Sequence, residues 1–366
     1  MIAANLVKEK KTYVYERHVA PESFCALAPT SSIYQAKMYS SLALLALSAP
    51  SVHAWGTLGH ETVAFIASNF VQAKTKTWAQ GILDDTSNAY LANVATWADS
   101  YRYTAAGKFS APYHFIDAED NPPKSCSVNF DRDCGSDGCS VSAIANYTQR
   151  VQQPGSLSAT EVNYALRFLI HFLGDVTQPL HDEALEIGGN DIDVTWDSES
   201  TNLHHIWDTE MPEKLRGGYA LSDAQAWAAN LTTEIKTGIY KSQAKSWLAN
   251  SDISDAQSSA LAWASDANKY VCSVVIPKGA SAVETGNLDG AYYNSAISTI
   301  ELQIAKGGYR LADWLDKIAA TQTTKRSDDG EYVPQVDLSG AEFLPPPREL
   351  SRAKLARRAI GYDCKH

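Results

Sequence analysis

Apolar residues recur at intervals of three and four along much of the chain, and the clearest run is Glu161 to His181 (EVNYALRFLIHFLGDVTQPLH). The apolar positions in this run are Val162, Ala165, Leu166, Leu169, Phe172, Leu173 and Val176. This spacing predicts an amphipathic helix that packs on one side. Pro179 is expected to stop the helix, because proline lacks the amide hydrogen that another turn requires.

The same periodicity predicts further helices over Ser222 to Thr237, over Asp255 to Val275, and over Asn294 to Ala320, where Gly307-Gly308 leaves room for a bend. Alternation typical of strands is confined to the stretch GGNDIDVTW, which allows one short hairpin. The pattern therefore predicts an all-α fold, a mainly helical single domain with at most a short β-hairpin.

The helical pattern occupies residues 55–320, which contain no repeats or low-complexity linkers and form the predicted domain. After Ala320 the turn residues and the weak periodicity predict a low-order tail over residues 321–366. This tail contains one candidate basic helix (ELSRAKLARRAI) and a dibasic pair, Lys325-Arg326, that a processing protease can cut.

A secretion signal is predicted just before the domain. Residues 41–54 (SLALLALSAPSVHA) join a short apolar run to a Val-His-Ala ending typical of signal-peptide cleavage. The predicted signal peptide is Met38–Ala54, within a leader of residues 1–54; the start codon, Met1 or Met38, stays open, and a buried internal helix is the alternative. The apolar run, about ten residues, is too short to span a bilayer. Asn146 (NYT) and Asn230 (NLT) are candidate glycosylation acceptors, which agrees with secretion.

Composition adds limits on the class of protein. The 366 residues are 45% hydrophobic and 20% charged, which is ordinary for a globular protein. The net charge of −11 argues against a protein that grips nucleic acid with a broad basic surface. It does not exclude a hydrolase in which bound metal ions attract the phosphate, because the charge of the ions can outweigh that of the whole molecule.

Cysteine spacing favours disulfides. The six cysteines are Cys25, Cys126, Cys134, Cys139, Cys272 and Cys364. Cys134 and Cys139 enclose two glycines in DCGSDGC, which suits a short disulfide in an oxidising compartment, and Cys126 could then pair with Cys272. A zinc site built from these thiols is the alternative, but the sequence has no C-x-x-C pair.

Histidines and aspartates recur one helical turn apart. His171 and Asp175 (HFLGD), and likewise His204 and Asp208 (HHIWD), are separated by four residues, so each pair leaves one face of a helix. Such pairs can close on a metal ion. A hydrogen bond along the helix face is the alternative for either pair alone.

Other donors of the same kind strengthen the metal hypothesis. His181 follows the predicted helix end and can fold back towards it, and Asp99 (TWADS) and His114 (PYHFID) lie among small or apolar residues, where a lone charge is costly. Cleavage before Trp55 would add an α-amine and a carbonyl oxygen, with His60 five residues further on. These nitrogen and oxygen donors suffice for more than one zinc ion, without thiolates.

Six blocks of sequence resemble the secreted fungal single-strand-specific zinc nucleases, the S1/P1 family, and the S1 type most of all. The blocks are WGTLGHETVAFIA, YLANVATWADSYR, PYHFIDAEDNPP, FLIHFLGDVTQPLHDE, TNLHHIWDT and IAKGGYRLADWL. They follow the order of the family from Trp55 to about Ala320. The resemblance implies the helical fold that this family shares with bacterial zinc phospholipase C.

The resemblance also implies three Zn²⁺ ions per chain. The ligands implied are Asp99, His114, His171 and Asp175 for one ion; His181, His204 and Asp208 for a second; and the Trp55 amine and carbonyl, His60 and the shared Asp175 for the third. His205 is left outside this set and is expected to support the ligands or to have a structural role; contact with metal or substrate is the alternative.

Three more residues take roles from the resemblance. Arg102 is expected to steady negative charge on the reacting phosphate, and it completes a catalytic set with Asp99 and Asp175; a surface arginine is the alternative. Phe115 is expected to stack on an unpaired base and Asp117 to accept a hydrogen bond from its edge; core packing is the alternative for Phe115.

The sequence thus predicts a secreted, monomeric zinc endonuclease that hydrolyses single-stranded DNA and RNA to 5′-phosphate products, with 3′-nucleotidase activity on nucleotides and no membrane partner. One alternative keeps the metals and hydrolyses phospholipid headgroups. Asp208 in place of Glu, together with Phe115 and Asp117, favours nucleic acid. A zinc-binding protein without catalysis is the other alternative.

Overall fold

Helices account for most of the computed structural model, which describes residues 55–155 and 157–322. They are α1 Thr57–Phe70, α2 Ala73–Leu83, α3 Trp97–Tyr101, α4 Phe130–Asp133, α5 Ser140–Gln152, α6 Ala159–Asp175, α7 Glu186–Gly189, α8 Leu203–His205, α9 Met211–Arg216, α10 Leu221–Lys236, α11 Ala256–Tyr270 and α12 Ala291–Thr321. Short 3-10 helices span Ala92–Val94, Lys108–His114, Pro179–Asp182, Ala244–Leu248, Ile253–Asp255 and Ala280–Ala282, and π-helical segments span Ile206–Glu210 and Val271–Val275. The predicted mainly helical fold is confirmed. The predicted signal peptide, and the predicted tail from residue 323 onward, lie outside the described residues.

The sheet found in the described part of the chain is one antiparallel hairpin of β1 (Asp193–Trp196) and β2 (Glu199–Asn202). Asp197 and Ser198 join the strands with φ values of 48° and 69°, as a two-residue turn with left-handed backbone requires. The predicted short hairpin is confirmed, with its first strand inside the stretch GGNDIDVTW and its second strand just beyond it. Because β2 ends where α8 begins, the hairpin leads the chain directly into the HHIWD segment.

Helix α6 has a capping box at its start, in which Ser158 Oγ accepts a hydrogen bond from the Glu161 amide and the Glu161 carboxylate accepts one from the Ser158 amide. The helix ends at Asp175 rather than at Pro179, so the predicted extension to the proline was wrong. The Thr177 hydroxyl donates to a carbonyl of the last turn and closes the helix earlier. Asp175 therefore lies at the end of a rigid element.

Helix α12 lies along α1 and also contacts α5, α6 and α10. It runs through Gly307 and Gly308 without a break in the helix. A Cβ at Gly308 would lie 2.4 Å from the Ile66 Cβ, and one at Gly307 would lie 3.0 Å from the Thr177 hydroxyl oxygen. The glycines serve close helix packing, and this packing brings α1 against the end of α6. No described helix is both long and apolar enough to cross a membrane.

Both disulfides proposed from the sequence are formed. Cys134 and Cys139 close a short loop between α4 and α5, with Cα atoms 5.3 Å apart. Cys126 is bonded to Cys272 across 146 positions of sequence, with Cα atoms 5.9 Å apart. All four cysteines are therefore oxidised to disulfides, and the alternative of a zinc site built from their thiolates is wrong. The bonds agree with folding in an oxidising compartment.

We expect loss of the long-range disulfide to destabilise the protein more than loss of the short one. Cys126→Ser with Cys272→Ser should lower the free energy of unfolding by about 5 kcal/mol on the chain-entropy model, because the unfolded chain regains the freedom of a long loop. Denaturant unfolding of the variant and the parent measures the difference. Cys134→Ser with Cys139→Ser is the matched control, and the chain-entropy model gives it a loss about 3 kcal/mol smaller. Equal losses would mean that packing of the sulfur atoms outweighs loop closure.

Candidate metal centre

The last turn of α6 supplies the middle of the site. His171 and Asp175 are completely buried and separated by one turn, as predicted. The Nδ1–H of His171 donates to the Ala95 carbonyl at 2.6 Å, so its Nε2 is left facing inward. Nε2 lies 3.3 Å from Asp175 Oδ2, 3.4 Å from Asp99 Oδ1 and 3.0 Å from His114 Nδ1. The helix thus presents a lone pair and a carboxylate to the same point.

Two other elements complete this group. Asp99 comes from the short helix α3 and His114 from the end of the 3-10 helix that precedes Phe115. His114 Nδ1 lies 3.1 Å from Asp175 Oδ2 and 3.6 Å from Asp99 Oδ1. The structure therefore brings together Asp99, His114, His171 and Asp175, which the sequence assigned to one ion. All four are completely buried.

A second group is formed by His181, His204 and Asp208. The Nδ1–H of His181 donates to the His114 carbonyl at 2.7 Å, and that of His204 to the Gly188 carbonyl at 2.6 Å. Each imidazole then turns its Nε2 inward, and the two Nε2 atoms are 3.1 Å apart. Asp208 Oδ2 lies 3.1 Å from His204 Nε2. These three side chains can hold a metal ion, because a ring nitrogen fixed on one side is a ligand on the other.

The position of Asp208 depends on a residue that the sequence analysis missed. Asp208 belongs to the π-helical segment that continues α8, a wider turn of a kind that is frequent at functional sites. Its Oδ1 accepts a hydrogen bond of 2.6 Å from Gln178 Nε2, while Gln178 Oε1 accepts one from the Leu180 amide. The Gln178 side chain thereby orients the carboxylate. A buried amide beside Pro179 was the available signal, but a sequence does not show which carboxylate it meets.

Helix α1 brings His60 to the other side of Asp175. Its Nε2 lies 3.1 Å from Asp175 Oδ1, and its ring stacks on that of His171 with centroids 4.0 Å apart. The two oxygens of Asp175 therefore face different ligands, Oδ1 facing His60 and Oδ2 facing His114 and His171. A carboxylate in this position can bridge two cations.

Trp55 is completely buried next to these groups. Its indole Nε1–H donates to the Thr177 hydroxyl at 3.1 Å, and the following amide, that of Gly56, donates to the Asp208 carbonyl at 2.7 Å. The start of the described chain is thus held against both groups of ligands. The α-amine ligand requires cleavage before Trp55 and stays a prediction.

Burial and charge set the protonation of the histidines. Burial lowers the pKa of His114 and of His181 to about 3, so both are neutral and can offer a lone pair. Burial also opposes charge on His171, but the carboxylates of Asp175 and Asp99 outweigh it and raise its pKa to about 9. In the protein without metal a proton on His171 partly offsets the carboxylates.

The donor set fits divalent cations. Asp99, Asp175 and Asp208 are completely buried, and carboxylates without charge compensation are costly in such surroundings. Both oxygens of Asp175 face imidazole nitrogens. Nitrogen and oxygen donors without thiolate suit zinc among the common metals. Several of these His/Asp groups can therefore hold metal ions.

Arg102 also reaches the site. It is 3% exposed, so the alternative of a surface arginine is not what the structure forms. Its guanidinium lies 3.7 Å from Asp99 Oδ1 and donates to the Tyr103 hydroxyl at 3.3 Å. It places a fixed positive charge beside the Asp99 carboxylate.

The remaining residues predicted from the sequence differ in their burial and in their contacts. Phe115 and Asp117 are 4% and 0% exposed, and Phe115 lies outside the main apolar cluster that contains Ile116. Their roles in base binding stay predictions. His205 contacts Glu210, with Nε2 3.3 Å from Oε1, outside the predicted ligand set. Asn146 is nearly buried on α5, whereas Asn230 is exposed on α10.

Comparison with known proteins agrees with this geometry. A family described as S1/P1 Nuclease matches residues 55–320. Nuclease P1 of Penicillium citrinum is 58% identical over 271 residues, which cover 74% of this chain and 100% of that protein. Nuclease S1 of Aspergillus oryzae is 56% identical over 280 residues, covering 76% and 96%. Endonuclease 2 of Arabidopsis thaliana is 31% identical over 291 residues, covering 75% and 93%. The chain belongs to the S1/P1 nuclease family.

Proposed function

We propose that this protein is a secreted zinc-dependent endonuclease, a hydrolase that cleaves single-stranded DNA and RNA to 5′-phosphate products and removes 3′-phosphates from nucleotides. The observation that carries the proposal is the Asp175 carboxylate, whose two oxygens face separate sets of imidazole nitrogens. Membership of a nuclease family supplies the reaction class. The two disulfides support passage through an oxidising compartment.

We assign three zinc ions to the site. The proposed ligands are Asp99, His114, His171 and Asp175; His181, His204 and Asp208; and Asp175, His60 and the amine and carbonyl of a processed Trp55. Support comes from the ring nitrogens, which are held in place by carbonyl oxygens on their far sides. When bound, zinc lowers the pKa of a water and offsets charge on a phosphodiester.

The protein's own residues then position the substrate. The guanidinium of Arg102 lies next to Asp99 and can donate to a phosphate oxygen that approaches the same point. Phe115 is proposed to stack on an unpaired base and Asp117 to accept a hydrogen bond from it. Stacking of this kind contributes about 1–3 kcal/mol per base and is indifferent to sequence. A base in a duplex would first have to unpair and unstack, at a cost of a few kcal/mol. This difference accounts for single-strand preference.

A substrate panel tests the proposed function. Protein that begins at Trp55 should hydrolyse single-stranded DNA and RNA and leave duplex DNA and phosphatidylcholine largely intact. A chelator should abolish the activity, and zinc should restore it. Asp175→Asn, which keeps the size and removes the charge, should lose at least one bound zinc by elemental analysis and more than about 100-fold in rate. The exposed Asp193→Asn is the matched control. Hydrolysis of phosphatidylcholine in preference to oligonucleotides, or full activity of Asp175→Asn, would contradict the proposal.

Gln178 should control metal affinity without contacting the metal. Gln178→Glu keeps the acceptor for Leu180 and removes the donor to Asp208, so zinc affinity at this group should fall about 10–100-fold. Competition with a chromophoric chelator measures the affinity. Gln149→Glu, on the exposed side of α5, is the matched control. If Gln178→Glu bound zinc as tightly as the parent, the orienting role would be refuted.

Phe115 should contribute to substrate binding more than to metal binding. Phe115→Ala should raise KM for single-stranded oligonucleotides by about 5-fold to 100-fold, the equivalent of about 1–3 kcal/mol of stacking. Its zinc content should match that of the parent. Phe115→Tyr keeps a ring and should recover most of the affinity. Unchanged KM in the alanine variant, or loss of zinc with it, would favour the core-packing alternative.

A further inference from the structure

A cavity of about 410 Å³ lies beside the N-terminal half of α6, between α3, the Lys108–His114 helix, α5 and α6. Aromatic rings line most of it. Tyr147 and Phe168 stack with centroids 4.6 Å apart and are buried, while Tyr101 and Tyr164 are half-buried. Phe109 at its edge is 54% exposed. A cavity lined by several aromatic rings, with the exposed ring of Phe109 at its edge, suits a ligand with an apolar face.

Asn146, which begins the Asn146-Tyr147-Thr148 acceptor sequence, lies in the wall of the same cavity. Its Oδ1 accepts a hydrogen bond of 3.0 Å from Arg150 Nε. Because the oxygen of the amide is held there, Nδ2 is turned away from the guanidinium. Nδ2 makes no hydrogen bond within the described residues, and it is the atom to which an N-linked glycan is attached.

We propose that the aromatic cavity is a carbohydrate-binding subsite for the protein's own glycan, and that it holds the core N-acetylglucosamine units attached to Asn146. The modification uses a lipid-linked diphosphate oligosaccharide as donor. Nδ2 loses one proton and bonds to C1 of the first sugar, while the bond from C1 to the diphosphate oxygen breaks and the lipid diphosphate leaves. The proposal relies on the secretion proposed above and is otherwise independent of nuclease activity.

The chemistry of the cavity suits this occupant. The face of an aromatic ring is electronegative and attracts the C–H hydrogens on the flat side of a pyranose ring. Arg150, Thr160 and Glu161 also line the cavity and can supply donors and acceptors for hydroxyl and acetamido groups. The covalent link makes docking intramolecular, so contacts that would be weak for a free sugar are sufficient.

Burial of the acceptor sequence gives an order of events. Thr148 is completely buried, and its hydroxyl accepts a hydrogen bond of 2.9 Å from Trp314 Nε1 on α12. The transferring enzyme has to reach this threonine, so the sugar is added before α5 packs on α12. The folding chain then closes around the first sugars. Asn230, exposed on α10, offers a comparison within the same protein.

A nucleobase is the other occupant that aromatic rings would accept. A glycan on Asn146 would extend from the wall into the space that such a base requires. The acceptor sequence therefore favours the sugar, and the experiment below separates the two.

The test uses protein secreted from a eukaryotic host, with site occupancy at Asn146 and Asn230 measured by peptide mass. An endoglycosidase that cuts between the two core sugars should release the Asn230 glycan at least tenfold faster than the Asn146 glycan from the native protein. In denatured protein the two rates should become equal. Absence of a glycan at Asn146, or equal rates in the native protein, would overturn the proposal.

Variants add a second measurement. Asn146→Gln should lower Tm by about 2–4 °C, as expected for a loss near 1 kcal/mol in a domain of this size, and Asn230→Gln should leave it within about 1 °C. Phe109→Ala should lower Tm of the glycosylated protein but not of the Asn146→Gln protein, because the ring and the sugar act as a pair. Additive losses of Tm from Phe109→Ala and Asn146→Gln would overturn the proposal. A raised KM of Phe109→Ala for oligonucleotides, with Tm and release rates unchanged, would also overturn it and would indicate a base as the occupant. If Asn146→Gln fails to fold, the release rates of the unaltered protein still decide.

Discussion

The burial of one carboxylate, that of Asp175, is the constraint on which the rest of the structure depends. Its two oxygens lie within 3.3 Å of nitrogens of His60, His114 and His171. A charge removed from water in this way is costly without a partner. The proton on His171 offsets only part of the charge of the neighbouring carboxylates, and the His114 imidazole, neutralised by burial, offsets none. Positive charge therefore has to enter the site. The metal-binding capacity of the protein follows from its fold and is not confined to a flexible surface loop.

Much of the helical packing serves to hold ligands from distant parts of the sequence around this carboxylate. The glycines of α12 let α1 come close enough for His60 to stack on His171. Carbonyl oxygens of Ala95, His114 and Gly188 fix the far sides of three imidazoles. One of them, the carbonyl of His114, belongs to a residue of the neighbouring group, so the two groups are mechanically linked. Displacement of one group of ligands should therefore also displace the other group.

The sequence predicted the helical class, the hairpin, both disulfides and the His/Asp pairs, because each depends on local spacing or on residue type. The end of α6 was not obtained, because a local hydrogen bond of the Thr177 hydroxyl closes the helix before the proline. The role of Gly307-Gly308 was not obtained either, because it depends on tertiary contacts with Thr177 and Ile66. Gln178 was missed for a similar reason. Its function is defined by the carboxylate it meets, which lies 30 residues further along the chain. Local sequence pattern identifies candidate metal ligands. The tertiary packing decides which of these side chains are held in a fixed orientation and which neighbouring group holds them.

Charge connects stability with substrate attraction. The site contains three buried carboxylates and one guanidinium at close range, that of Arg102, in a chain whose net charge is −11. Without cations such a site repels a polyanion, and with them its sign is reversed. Bound cations would also remove the cost of burying Asp99, Asp175 and Asp208, so the proposed metal binding would contribute to folding and to recognition at once. A substitution that weakens metal binding would therefore be expected to lower stability and substrate affinity together, whereas one confined to base contact would lower substrate affinity alone.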